Sequence, residues 1–140
     1  MLAVEIAQYL AAQIGALTFN ISTTGGNVFV DSMPSTPDEA VMVKGSGGPE
    51  ASTKSGYALP AVQVIVRGTT DPRTGSDRAD QVYAALHGLR HTTLAGGTLV
   101  IRSAGIQSAP VSMGEDQNGR HEFSLNFQLE TRLQTTHSLE

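Results

Sequence analysis

The chain has 140 residues, 13 acidic against 9 basic side chains, a formal net charge of −4, 15 glycines, no tryptophan and no cysteine. That length suits one domain around one core. The missing cysteines exclude disulfides, thiolate metal sites and cysteine nucleophiles, and the acidic balance argues against a grip on nucleic acid built on neutralising phosphates.

Aromatic residues make up only 5% of the chain, and with the abundant glycine this favours strands and loops over a helical bundle. No run approaches the roughly 18 apolar residues that a bilayer span needs. Glu5, Gln8 and Gln13 interrupt the first apolar segment, which therefore does not read as a signal peptide. The expectation is a soluble protein made inside a cell, with no membrane partner.

In chain order, Leu2, Ile6, Tyr9, Leu10 and Ile14 recur at helical spacing and predict an amphipathic helix that Gly15 stops. Asn20 to Asn27 is polar, with Gly25-Gly26 as a turn. Val28 to Val30 predicts a short strand. Pro34 and Pro37 forbid a regular ladder between Asp31 and Asp38, and Ala40 to Val43 predicts a second strand. The Gly-, Ser- and Pro-rich interval 45–60 shows no period and is read as a long flexible loop, a length usually reserved for functional or disordered segments.

Ala61 to Arg67, almost wholly β-branched, is the best candidate for a core strand. Gly68 to Gly75 reads as a turn. Ser76 then reads as the N-cap of a helix whose Ala79, Val82, Tyr83, Leu86 and Leu89 share a face to about Arg90. Asp77 and Asp80 would lie in its first turn, with Arg90 and His91 at its end, the order that complements the helix dipole. Strands are predicted at Thr98–Ser103 and Ile106–Met113. Asn118-Gly119 predicts a type I′ hairpin turn, and the alternation of Phe123, Leu125, Phe127, Leu129, Thr131 and Leu133 with polar residues predicts a long half-buried strand. The fold class is α+β: a mostly antiparallel sheet with two helices packed on one face, in one domain over residues 1–140.

A search of the residues for catalytic chemistry gives little. His87 and His91 stand four apart on the second predicted helix, but Gly88, Leu89 and Arg90 between them lack the glutamate of a zinc helix. His121 and Glu122 point to opposite faces of a strand. Gly45-Ser46-Gly47-Gly48 lacks the lysine and the helix that a phosphate loop requires. Asp71, Asp77 and Asp80 miss the calcium-loop spacing. The reading is a protein that is not an enzyme and carries no cofactor and no metal.

Several stretches together resemble the minor-capsid and tail-terminator proteins of long-tailed bacteriophages. They are the strand, acidic proline turn and strand from Val28 to Val41, the strand Val62–Gly68, and the helix bearing Ala79, Tyr83 and Leu86. The turn Pro110–Arg120 leading into Phe123–Phe127 completes the set, and the resemblance runs in order from Ile6 to Arg132.

It implies a virion protein of the tail or neck, made in the bacterial host cytoplasm. Such a protein would form a ring with copies of itself, a hexamer, that caps the tail-tube protein and meets a head-tail connector or stopper. DNA would pass through the ring without specific binding. Asp31, Asp38, Glu115, Asp116 and Arg120 are the residues expected near interfaces. Six copies would carry a formal charge of −24, enough to repel DNA at short range, although a charge of −4 per chain also serves solubility. The alternatives are another head-tail connector, a tail-tube protein, or a small binding domain unrelated to phage.

Overall fold

The computed structural model describes residues 1–23 and 25–139. In chain order it holds α1 (Leu2–Gln13), β1 (Val28–Val30), β2 (Ala40–Gly47), β3 (Tyr57–Ala58) and β4 (Ala61–Arg67). These are followed by α2 (Pro72–Leu86), β5 (Arg90–Thr93), β6 (Leu99–Gly105), β7 (Val111–Glu115) and β8 (His121–Arg132).

The sheet is ordered β1-β2-β4-β8-β6-β5, and among the described residues only the β1–β2 pair is parallel. The twelve-residue β8 is its axis. Along one side β8 pairs with β4 and then with β3; along the other it pairs with β7 and then with β6. A strand shared by four neighbours must present one unbroken apolar face, and Phe123, Leu125, Phe127 and Leu129 are all buried.

The register explains the core. Val62, Val64 and Val66 lie opposite Phe127, Leu125 and Phe123 on one side, and Val64 and Val66 lie opposite Val43 and Val41 on the other. Both helices cover this face. α1 contributes Ala3, Ile6, Ala7 and Leu10, while α2 contributes Ala79, Val82 and Leu86. The second face carries Gln63, Ser124, Asn126 and Gln128.

Glu5 is a buried polar member of α1. Its carboxylate accepts from the Gly96 and Thr98 amides and from the Thr98 hydroxyl, at 2.9, 3.3 and 2.7 Å, so the β5–β6 turn is pinned beneath the helix.

Several boundaries differ from the sequence reading. β2 continues past Val43 to Gly47, and β3 falls inside the interval read as one loop. A ladder uses backbone groups only, so Lys44 to Gly47 pair with Ala61 to Gln63 without any side-chain period. The second helix begins at Pro72 rather than Ser76. Asp71 is its N-cap, accepting from the Arg73 amide at 3.0 Å, and proline is preorganised for the first helical position.

That helix ends at Leu86, because Gly88 adopts φ +82° and turns the chain away. Arg90 and His91 therefore belong to β5, and no acidic residue occupies the first turn of α2. β6 runs on to Gly105 and β7 starts at Val111, in place of one strand from Ile106 to Met113. The Asn118-Gly119 turn is not type I′. Gly119 has φ +75° but Asn118 does not share the left-handed region, and the bonds Gly119 N–H to Asp116 O and Asp116 N–H to Arg120 O make a type I turn with a glycine bulge.

Candidate functional site

The connection 31–39 between the parallel strands β1 and β2 contains two prolines, which supply carbonyl acceptors but no N–H donors. Two buried arginines supply the donors. Arg67, at the end of β4 and only 4% exposed, gives its Nε to Asp38 O at 2.9 Å and its Nη2 to Pro34 O and Pro37 O at 2.7 and 2.6 Å. Arg120 begins where the β7–β8 turn ends and is 6% exposed; it donates Nη1 to Ser35 O and to Asp38 Oδ1. Its Nε donates to Asp116 Oδ2 at 2.8 Å.

The electrostatics follow from this packing. Burial lowers the Arg67 guanidinium from its ordinary value and the neighbouring Arg120 adds to that, while Asp116, Glu122 and Asp38 oppose it. Desolvation would raise the Asp116 carboxyl. The Arg120 and Asn118 amides and the Arg120 guanidinium outweigh it and hold the group below the usual carboxylate range.

Of the residues singled out in the sequence, the structure brings Asp38, Asp116 and Arg120 together. Glu115 lies opposite His121 across β7 and β8 and meets its Nε2 at 3.5 Å. Asp31 stands at the other end of the connection, with φ +66° and its amide bonded to Val43 O. Arg67 was not singled out. Its signal was a cation closing an apolar run immediately before a glycine, with acceptor-rich prolines elsewhere in the chain.

The remaining candidates are dispersed. His87 caps the end of α2: its Nδ1 accepts from the Gly105 amide at 3.0 Å, and its ring stacks on Tyr83. His91 lies on β5, so the two histidines share no helix face. Asp71 is held below the usual carboxylate range chiefly by the Arg73 side chain. Among the described residues no group of three metal-ligating side chains converges. A recess of about 490 Å³ runs along β1 between Phe19, Ile21, Met33 and Pro34, and its lining is mostly apolar.

Two buried arginines thus hold the 31–39 connection in one shape against the ends of β4 and β8. Over residues 10–132 the chain matches the family described as bacteriophage tail terminator protein. The chain belongs to that family. It is therefore a structural protein of the phage tail and virion. The matched interval takes in β1 to β8 and both arginines.

Among solved structures, the tail terminator chain is similar to a chain from the virion of a native gene transfer agent particle. The TM-score is 0.61 at 17% identity, covering 94% of this chain and 95% of the other, a likeness of fold. A search of curated proteins found no match.

Proposed function

We propose that this tail terminator closes into a ring of six copies on the end of the tail tube and joins that tube to the head. The family match over residues 10–132 carries the reading. Its partners are further copies of itself, the tail-tube protein, and a connector or stopper at the head. It acts in the neck of the virion after synthesis in the host cytoplasm, and it performs no catalysis. DNA passes through the ring without specific binding, in keeping with a net charge of −4 per chain. Asp31, Asp38, Glu115, Asp116 and Arg120 lie near contacts in this assembly, and the part of residues 45–59 outside β2 and β3 becomes ordered when a neighbour arrives.

Light scattering on a sizing column over a range of protein concentrations, with negative-stain images, tests the reading. Closed rings of six, or single rings seated on the ends of added purified tail tubes, are expected. Filaments that lengthen with concentration would make it a tube protein instead. A monomer that ignores added tubes would remove the capping role.

A further inference from the structure

We propose that the two outer edges of the sheet are the halves of one contact between copies of this chain, the arginine edge at β5 receiving the carboxylates that the next copy presents at its 31–39 connection. The inference rests on the ring reading above and specifies its subunit interface.

Opposite ends of the sheet carry opposite charge. β1 and β5 are the terminal strands of the main path, each paired on one side only. Residues 28–43, which form β1, its connection and the start of β2, contain Asp31, Asp38 and Glu39 and no basic residue. All three acids are exposed. Residues 87–102, which hold β5 and most of β6, contain Arg90, Arg102, His87 and His91 and no acidic residue.

Within the subunit the arginine edge is poorly compensated. Arg90 and Arg102 lie directly opposite each other across β5 and β6, and both are exposed. Like charges at opposed positions destabilise a sheet. The carboxylate within reach is Glu130, at 3.9 Å from Arg102, and it also accepts from the Tyr57 hydroxyl at 3.2 Å. Among the described residues the Arg90 Nε has only a long bond to Gly88 O, at 3.4 Å.

Between the arginines His91 holds φ +49°, a left-handed conformation that is uncommon for a side-chain-bearing residue. A recess of about 260 Å³ lies there, lined by Arg90, His91, Ile101, Arg102 and Glu130. Its lining sets two arginines and His91 beside the Glu130 carboxylate and Ile101, an excess of basic side chains. On the 31–39 connection that follows β1, Asp31 and Glu39 make no ion pair among the described residues, and Asp38 shares Arg120 with Asp116.

This arrangement selects the symmetry. A two-fold contact through either edge would set like charge against like, whereas a head-to-tail contact sets the acidic edge against the basic one. Contacts of that kind generate rings when the rotation closes and filaments when it does not.

The absence of cysteine allows a direct test. Ser32→Cys places a thiol on the acidic connection, and Thr93→Cys places one at the exposed end of β5. The two chains are mixed in equal amounts and oxidised at low salt. The mixed disulfide should exceed either homodimer by on the order of tenfold, against the twofold excess of random collision. The preference should disappear when the Thr93→Cys chain also carries Arg90→Glu and Arg102→Glu, and return in part when its partner carries Glu39→Lys. Thermal unfolding of each chain confirms that it is folded.

A statistical product ratio, or a preference indifferent to the charge reversals, overturns the inference. So does a result in which the reversals leave the disulfides unchanged but abolish retention of the chain on duplex DNA, since the arginines then serve phosphate. The ring reading fails separately. Wild-type rings with statistical disulfides would leave the ring standing and remove this contact, whereas open filaments with the mixed disulfide would keep the contact and remove the closed ring.

Discussion

Replacing Arg67 with methionine removes three hydrogen bonds from the 31–39 connection while keeping most of the side chain's volume. Each bond to a charged donor contributes about 1.5–3 kcal/mol net. The three are not additive here, because Pro34 O and Pro37 O share one nitrogen. The connection is largely exposed, so water replaces part of what is lost. Methionine also relieves the desolvation of a buried cation beside Arg120, which offsets some of the damage. The balance is a loss of roughly 2–3 kcal/mol, or a melting temperature lower by roughly 10 °C for a domain of this size. Lysine should recover less than half of it, since an ammonium cannot reach three carbonyls in the geometry of a planar fork. Thermal unfolding gives the global term, and amide exchange at residues 31–39 gives the local one. A methionine variant as stable as the parent, with no faster exchange in that connection, would refute the brace.

Glu5→Ala removes the acceptor for Gly96, Thr98 and the Thr98 hydroxyl, and it should cost about 2–3 kcal/mol in urea unfolding with faster exchange in the β5–β6 turn. The Asp116 carboxyl is held below its unfolded value, so its contribution is complete above about pH 4 and is lost as pH falls through the folded value. Stability measured from pH 6 to pH 2 should therefore decline more shallowly in Asp116→Asn than in the parent, and parallel curves would rule this out. Residues 45–59 should exchange quickly in the isolated subunit apart from strand-paired positions, and protection across the whole interval would contradict the ordering proposed on assembly.

What was legible in the sequence follows from how each element is stabilised. Ala61 to Arg67 and the alternating residues from Phe123 onward were readable because burial on one face leaves a side-chain record. The extension of β2 through Lys44 to Gly47 left none, because glycine pairs through its backbone and buries nothing. β5 was hidden for a different reason: Arg90 and His91 follow a helical face at the spacing of a last turn, and only the backbone of Gly88 separates them from it. For the site, adjacency in the chain misled. Asp116 folds back on Arg120 while Glu115, one residue earlier, faces His121. Arg67 could be read as a strand residue, but the carbonyls it serves lie about 30 positions earlier in the chain and no local pattern links them.

The arginine brace also bears on assembly. A connection left free would have to be ordered at the moment of contact, at a cost of about 1–2 kcal/mol for each residue fixed. Held on Arg67 and Arg120, it presents Asp31 and Glu39 in advance, and preorganisation of that kind strengthens association without adding a contact. Arg67→Met and Glu39→Lys should therefore both weaken the mixed disulfide between copies, on the order of tenfold each, but by separable routes. At 1 M salt the screening length falls to about 3 Å. The parent and Glu39→Lys should then converge, because their difference is a matter of exposed charge. Arg67→Met should remain below both, because salt does not restore the order of a loop that has lost its donors. If all three converge, the brace matters only to stability and not to assembly.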